Sequence, residues 1–352
     1  MLNQRTISSR PADRSTLTFR QRALRGPLAV ACLLFLAGCG GGNAPAAPEP
    51  SFDPAGPAAR LTTLTALDQR VARVGFRLLE ANADLCPVVR QSAGWALHAA
   101  SQYSSELRPL AEARFGLRGD LPGILAAPPE SAAASADLRE GDLILSVNGV
   151  ALNIGPARSE AAFEGLERNI AQLDRALAAG PARLVVARDS VERAVTIEPD
   201  RACGYEVQLN PSDELNARAD GRRLFISTAL AGFTRTDDEL AIVLGHELAH
   251  HVLRHRTWDA VGGEGRSEND PVALGGAGTR EQQADRVGLF LAARAGFDTT
   301  IGPAFWRRFG AYNWRVRYPQ LRHESAEARA GRLETVQAEI DAKRAAGEPL
   351  TP

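Results

Sequence analysis

The chain has 352 residues, 44% hydrophobic and 24% charged, with a net charge of -1. This balance excludes a disordered polyelectrolyte and leaves no basic footprint for nucleic acid, so no nucleic-acid partner is expected. Without an N-terminal leader the length suits about two domains.

In chain order, the leader comes first. Several Arg between Arg5 and Arg25 precede an apolar run from Leu28 to Ala37, which has the length of a signal-peptide core and is too short to span a bilayer. The run ends Leu36-Ala37-Gly38-Cys39 and resembles a bacterial lipobox. The resemblance implies a signal peptide over 1–38 and a lipidated Cys39 that tethers the protein to a membrane. An ordinary cleaved signal with an incidental Cys is the alternative. Gly40 after the Cys implies, by the same resemblance, a periplasm-facing lipoprotein of the outer membrane. No later segment is long and apolar enough to span a bilayer. Residues 39–58, rich in Gly, Pro and Ala, read as a flexible linker.

Residues 59–112 read as helical, with apolar spacing through Val71, Val74, Leu78 and Leu79. The character changes over 113–199, where Gly123–Ala127, Asp142–Val147 and Ala182–Ala187 are strand candidates and Asn148-Gly149 is a turn signal. Ser131 to Gly149 resembles a PDZ domain of the bacterial protease type. That resemblance implies an inserted small β-rich module that binds extended peptides by strand addition, with Phe115-Gly116-Leu117 as a candidate carboxylate loop. A β subdomain with no peptide affinity is the alternative. Once the leader is removed and Cys39 is lipidated, Cys86 and Cys203 remain. In an oxidising compartment they read as a possible disulfide, and two unpaired buried thiols are the other reading.

Residues 200–352 carry the chemistry. Thr236 and Glu239 fit a capping box at the start of an apolar helix, and His246-Glu247-Leu248-Ala249-His250 lies within it. Positions four apart share a helix face, so both imidazoles can hold one Zn²⁺ per chain. Glu247 turns about 100° away from His246 and can act on a water as general base. A catalytic zinc takes a third protein ligand. Glu264, Glu268 and Asp270 lie in a Gly-rich stretch that would hold a ligand poorly, whereas Glu281 opens a second helix behind a Thr279–Gln282 capping box. Glu281 is therefore the expected third ligand, with Asp285 one turn later placed to support a ligating His. His251 and His255 sit one residue off the ligand face and read as surface or supporting residues.

His-Glu-x-x-His followed on a second helix by Glu-x-x-Ala-Asp resembles zinc metallopeptidase family 48, the family of the bacterial membrane protease HtpX and the CAAX prenyl endopeptidase. His323 to Arg329 is similar to the family's His-Pro-x-x-x-x-Arg, with Glu324 in place of Pro. The resemblance implies that His323 assists substrate or transition-state binding and that Arg329 buttresses the site. Asn216-Ala217, followed by Leu224 to Thr228, resembles the family's substrate edge strand.

The expected fold is α+β: a mostly helical zincin-type core with a short edge-strand sheet and an inserted PDZ-like domain. The expected function is a zinc endopeptidase acting on misfolded or unassembled envelope proteins. The competing reading is a non-proteolytic lipoprotein scaffold or chaperone that binds peptides through the PDZ-like block and the zinc-site groove. A structural zinc site has no use for Glu247 and usually fills its fourth position with Cys. No Cys lies near the motif.

Overall fold

The computed structural model describes residues 56–156, 160–255, 278–312 and 325–352. The signal peptide and Cys39, nearly all of the linker, the loop carboxylates Glu264, Glu268 and Asp270, and His323 lie outside them. The architecture is α+β, a mostly helical core with a distinct β-sheet region placed between its first helix and its later ones.

Helix α1 (Pro57–Ala81) begins with Pro in its first turn, where a missing N–H costs nothing. It serves both hydrophobic cores: Val71, Val74 and Leu78 pack into the helical core, and Leu61 into the core of the sheet region. The helical pattern expected to continue to residue 112 stops soon after α1. The chain turns instead into β1 (Val89–Ser92) and β2 (Ala96–His98), then a short α2 (Arg108–Phe115). Pro87 cannot continue a helix, the adjacent β-branched Val88 and Val89 favour extended backbone, and Gly94 adopts φ 72° at the turn between the strands.

The strands that follow are β3 (Gly123–Ala126), β4 (Leu143–Val147), β5 (Val150–Ala151), β6 (Ala182–Arg188) and β7 (Val191–Ile197). With β2 they form one sheet in the order β2-β3-β4-β6-β7, with β5 hairpinned onto β4. The hairpin turns at Asn148 and Gly149, both at positive φ (49° and 82°), as a two-residue turn matched to strand twist requires. A short α3 (Ala132–Ser135) precedes β4, and α4 (Glu164–Ala178) buries Leu166, Leu173 and Leu177.

A neck joins this region to the helical core. Strand β8 (Asp200–Cys203) pairs antiparallel with β1, setting Val89 opposite Cys203. Cys86 and Cys203 are disulfide-bonded, with Cα atoms 5.5 Å apart and 117 residues between them in sequence. The β1–β8 ribbon and the bond bring the two ends of the β-rich block together.

The helical core holds a three-stranded sheet ordered β10 (Ala217–Ala219), β11 (Arg223–Ser227), β9 (Glu206–Asn210), antiparallel and then parallel. Around it lie α5 (Thr228–Phe233), α6 (Asp237–Val252), α7 (Arg280–Arg294), α8 (Gly302–Tyr312) and α9 (Ala326–Ala346). Phe290 and Phe305 are among the largest fully buried side chains, each worth roughly 1.5–3 kcal/mol of transfer free energy. Among the described residues, no helix is long and apolar enough to cross a membrane.

Candidate metal centre

Helix α6 is buried without a break from Glu239 to Val252, so polar groups on it need partners. Thr236 caps it by accepting from the Glu239 amide at 3.2 Å. The reciprocal half of the expected capping box is displaced by one residue: the Glu239 carboxylate accepts from the Arg235 amide at 2.6 Å and from the Arg308 guanidinium. Burial works against the Glu239 carboxylate, yet Arg308 and the Arg235 amide hold it below the usual range. Helix α7 opens with the full reciprocal box between Thr279 and Gln282, which sets Glu281 in its first turn.

The two helices approach closely where Gly245 faces Gly288, with no side chain on either to separate them. Glu281 is thereby brought to the two histidines on α6. The His246 and His250 Nε2 atoms are 3.2 Å apart, and Glu281 oxygens lie 3.4 Å and 3.7 Å from them. Ligand atoms of these three residues all fall within 4.8 Å of one another, in a cluster able to hold a metal ion.

Each imidazole is held from behind through Nδ1. His246 Nδ1 lies 2.9 Å from Asp285 Oδ1, and Arg329 Nε donates to the same oxygen at 2.9 Å. The Arg329 guanidinium covers the Trp306 ring, 3.2 Å from its centroid, and Arg332 lies 3.5 Å from the other Asp285 oxygen. His250 Nδ1 lies 3.1 Å from His255 Nδ1, and His255 Nε2 lies 3.0 Å from Gln283 Oε1. Arg254 makes that second arrangement possible. Its φ of 53° turns the chain back at the end of α6, with the His255 amide on the His250 carbonyl at 2.8 Å. If both Nε2 atoms present lone pairs to a cation, both Nδ1 atoms carry protons. His250 then donates to His255, and His255 donates to Gln283.

The electrostatics favour positive charge at the cluster. Burial pulls His246 down, but hydrogen bonds to Asp285 and Glu281 outweigh it and set the imidazole at about 9. Hydrogen bonds to His246 and His250 hold the Glu281 carboxyl far below the usual range. Burial would raise Asp285, yet Arg329 and His246 hold it low.

Glu247 follows His246 on α6 and is 9% exposed. Strand β10 lies on an outer edge of its sheet and packs beside α6. Asn216, just before it, accepts from the Ser227 amide through its carbonyl and donates its own amide to the Ser227 hydroxyl, and Ala217 pairs with Ile226. His251 faces away from the cluster, stacked on Tyr205 at 4.2 Å with Nε2 3.2 Å from the Arg223 carbonyl. Sequence reasoning did not find the Trp306 platform or the Gly245–Gly288 contact, and it read His255 as a surface or supporting residue without naming His250 as its partner. The one sequence signal for that pairing was a His five residues beyond His250.

Residues 186–266 match the model of Peptidase family M48. Among solved structures, the HtrA3 PDZ domain bound to a phage-derived ligand is 19% identical and covers 33% of this chain and 92% of that one. Its TM-score is 0.23, too low to support an argument. The chain thus carries an M48 peptidase domain with a His-His-Glu triad, the makeup of a zinc metalloendopeptidase.

Proposed function

We propose that the protein is a zinc-dependent endopeptidase of the bacterial cell envelope, with one zinc held by His246, His250 and Glu281. The observation that carries this reading is the donor spacing. Three N or O donors about 2.0–2.1 Å from a tetrahedral centre stand about 3.4 Å apart, and the spacings here are 3.2, 3.4 and 3.7 Å. Bound there, zinc supplies Lewis acidity and makes water a nucleophile at neutral pH.

The chain's own residues do the rest. The Glu247 carboxylate takes the proton from the attacking water and delivers it to the leaving amide nitrogen. Asp285, clamped by Arg329, fixes the His246 ring, and His255 with Gln283 fixes the His250 ring. An extended substrate adds to the outer edge of β10 beside Asn216 and Ala217, which holds the scissile bond along α6. By resemblance, His323 donates to the developing oxyanion. Substrates are misfolded or unassembled envelope proteins, gathered with help from the PDZ-like block. Cys39 carries the lipid that anchors the protein to the outer membrane, facing the periplasm.

Metal analysis and casein digestion on protein lacking residues 1–39, beside the same protein with Glu247→Gln, test this reading. Both forms should hold one zinc per chain, and the variant should lose about 100-fold or more of the activity. Equal activity in the two removes Glu247 as base. Cys39→Ser should leave the membrane fraction, and its continued tight association would overturn the lipid anchor.

A further inference from the structure

Strand β10 ends its sheet on the side of α6, and its side chains alternate between two faces. Residues directly opposite one another in an antiparallel ladder share a face. Ala217 stands opposite Ile226 and Ala219 opposite Leu224. Ile226 and Leu224 belong to the helical core, so both alanines face inward. Arg218 stands opposite Phe225 and faces outward, exposed to solvent. The same outer face continues across β11 to Gln208 on β9.

Arg218 is held in place but not neutralised. Its guanidinium lies over the Phe225 ring, 4.2 Å from the centroid, a contact that orients the side chain without using its N–H groups. Among the described residues Arg218 makes no hydrogen bond and no ion pair. The acids of this face are engaged elsewhere. Asp220 accepts from the Arg222 and Arg223 amides at 2.9 Å and 2.7 Å. Glu206 accepts from the Gln208 side chain at 3.0 Å and lies 3.5 Å from Arg222. Beside Arg218 is a recess of about 20 Å³, room for about one water molecule. Asn210, Ser212, Asn216 and Ser227 border it. The lining thus offers hydroxyls, amides and one cation, and no carboxylate.

We propose that Arg218 makes the peptidase select substrates with an Asp or Glu side chain at one position of the segment that adds to β10. The inference rests on the endopeptidase reading and on substrate addition at this edge. An added antiparallel strand sets one of its residues opposite Arg218 on the same face, with Cβ atoms about 4.5–5.5 Å apart. A carboxylate there reaches the guanidinium and gains charge-assisted hydrogen bonds. A Lys or Arg there meets a like charge directly opposite, which is destabilising. The residues before and after that position turn to the inner face, away from Arg218. The preference is therefore strongest at one position and absent at its two sequence neighbours.

The test is cleavage by the full chain of internally quenched peptides in which Glu, Gln or Lys is placed in turn at each position flanking the cut bond, with the cut located by mass spectrometry. At one position Glu should raise kcat/KM about fivefold over Gln, and Lys should lower it by a similar factor, the scale of a well-placed exposed ion pair. The adjacent positions should show no such order. Arg218→Glu should reverse the order at that position, Arg218→Lys should keep it, and Arg218→Gln should flatten it. Each comparison is a ratio within one variant, so a change in overall activity or zinc content does not enter it. Loss of the Arg218–Phe225 contact alone would lower activity without reversing a charge preference. Cleavage with no charge order at any position, or an order that Arg218→Glu leaves unchanged, overturns the proposal and leaves the endopeptidase reading standing. If Arg218→Glu does not fold, Arg218→Gln decides, and an undiminished order in it overturns the proposal. No cleavage of any peptide by the zinc-loaded parent overturns the endopeptidase reading and this inference with it.

Discussion

Gly288 stands directly against His246: a Cβ on Gly288 would lie 2.6 Å from the His246 backbone nitrogen, and one on Gly245 2.6 Å from the Gly288 carbonyl oxygen. Distances that short are to backbone, which cannot rotate away. The crossing of α6 and α7, and through it the reach of Glu281 to the histidines, depends on two missing side chains.

Gly288→Ala should therefore cost about 1–3 kcal/mol, the usual range for overpacking a tight core, and weaken zinc binding as well. Thermal denaturation and metal content after dialysis check it. A variant with native melting temperature and full zinc would mean that the helices can separate without moving Glu281.

The third ligand can be tested against its alternatives in the loop. Glu281→Ala should lose zinc on dialysis, whereas Glu268→Ala and Asp270→Ala should keep it. Mass spectrometry of the dialysed proteins decides, and retention in Glu281→Ala with loss in either loop variant would move the ligand to residues 264–270.

His255 holds His250 from behind at 3.1 Å, so its removal should loosen the metal without removing a ligand. His255→Ala is expected to weaken zinc affinity about 10- to 100-fold, the range seen for outer partners of ligating histidines. Competition with a chelator measures this. Unchanged affinity would show that the His250 ring is oriented by packing alone.

A pH effect should come from the β-rich block. His98 is 3% exposed, its Nδ1 lies 2.8 Å from the Tyr103 hydroxyl, and its Nε2 has no hydrogen-bond partner. Burial lowers its pKa from 6.5 to about 3. The unfolded chain then binds the proton more readily than the folded one, so this group adds stability at pH 7 that is lost as pH falls below about 6.5. The loss approaches at most about 1.4 kcal/mol per pH unit until the folded pKa is reached. His98→Phe should flatten urea midpoints measured between pH 7 and pH 4 relative to the parent. Parallel curves would remove His98 as a source of acid sensitivity.

Much of the local structure was legible. Thr279 and Gln282 form the reciprocal cap that their spacing suggests, and Asn148-Gly149 makes the hairpin turn. Other local readings failed where a distant residue intervened. Glu239 shifts its reciprocal cap by one residue, to the Arg235 amide, while it pairs with Arg308, 69 residues away, because a buried carboxylate gains strongly from a guanidinium. Residues 89–98 form strands where helix was expected, and β1 needs β8, more than 100 residues later, to pair with.

The sequence by itself determined what repeats at short range. His246 and His250 share a helix face and Glu247 does not, because the α-helix period is a property of the backbone and needs no distant partner. The tertiary structure alone decided what those residues meet. It brought Glu281 to the histidines across the Gly245–Gly288 contact, folded His255 back onto His250 through Arg254, and joined Cys86 to Cys203 across 117 residues. These contacts depend on how separate surfaces pack, which is set by side-chain volumes and close approaches spread over the whole chain. No periodicity within one segment records them.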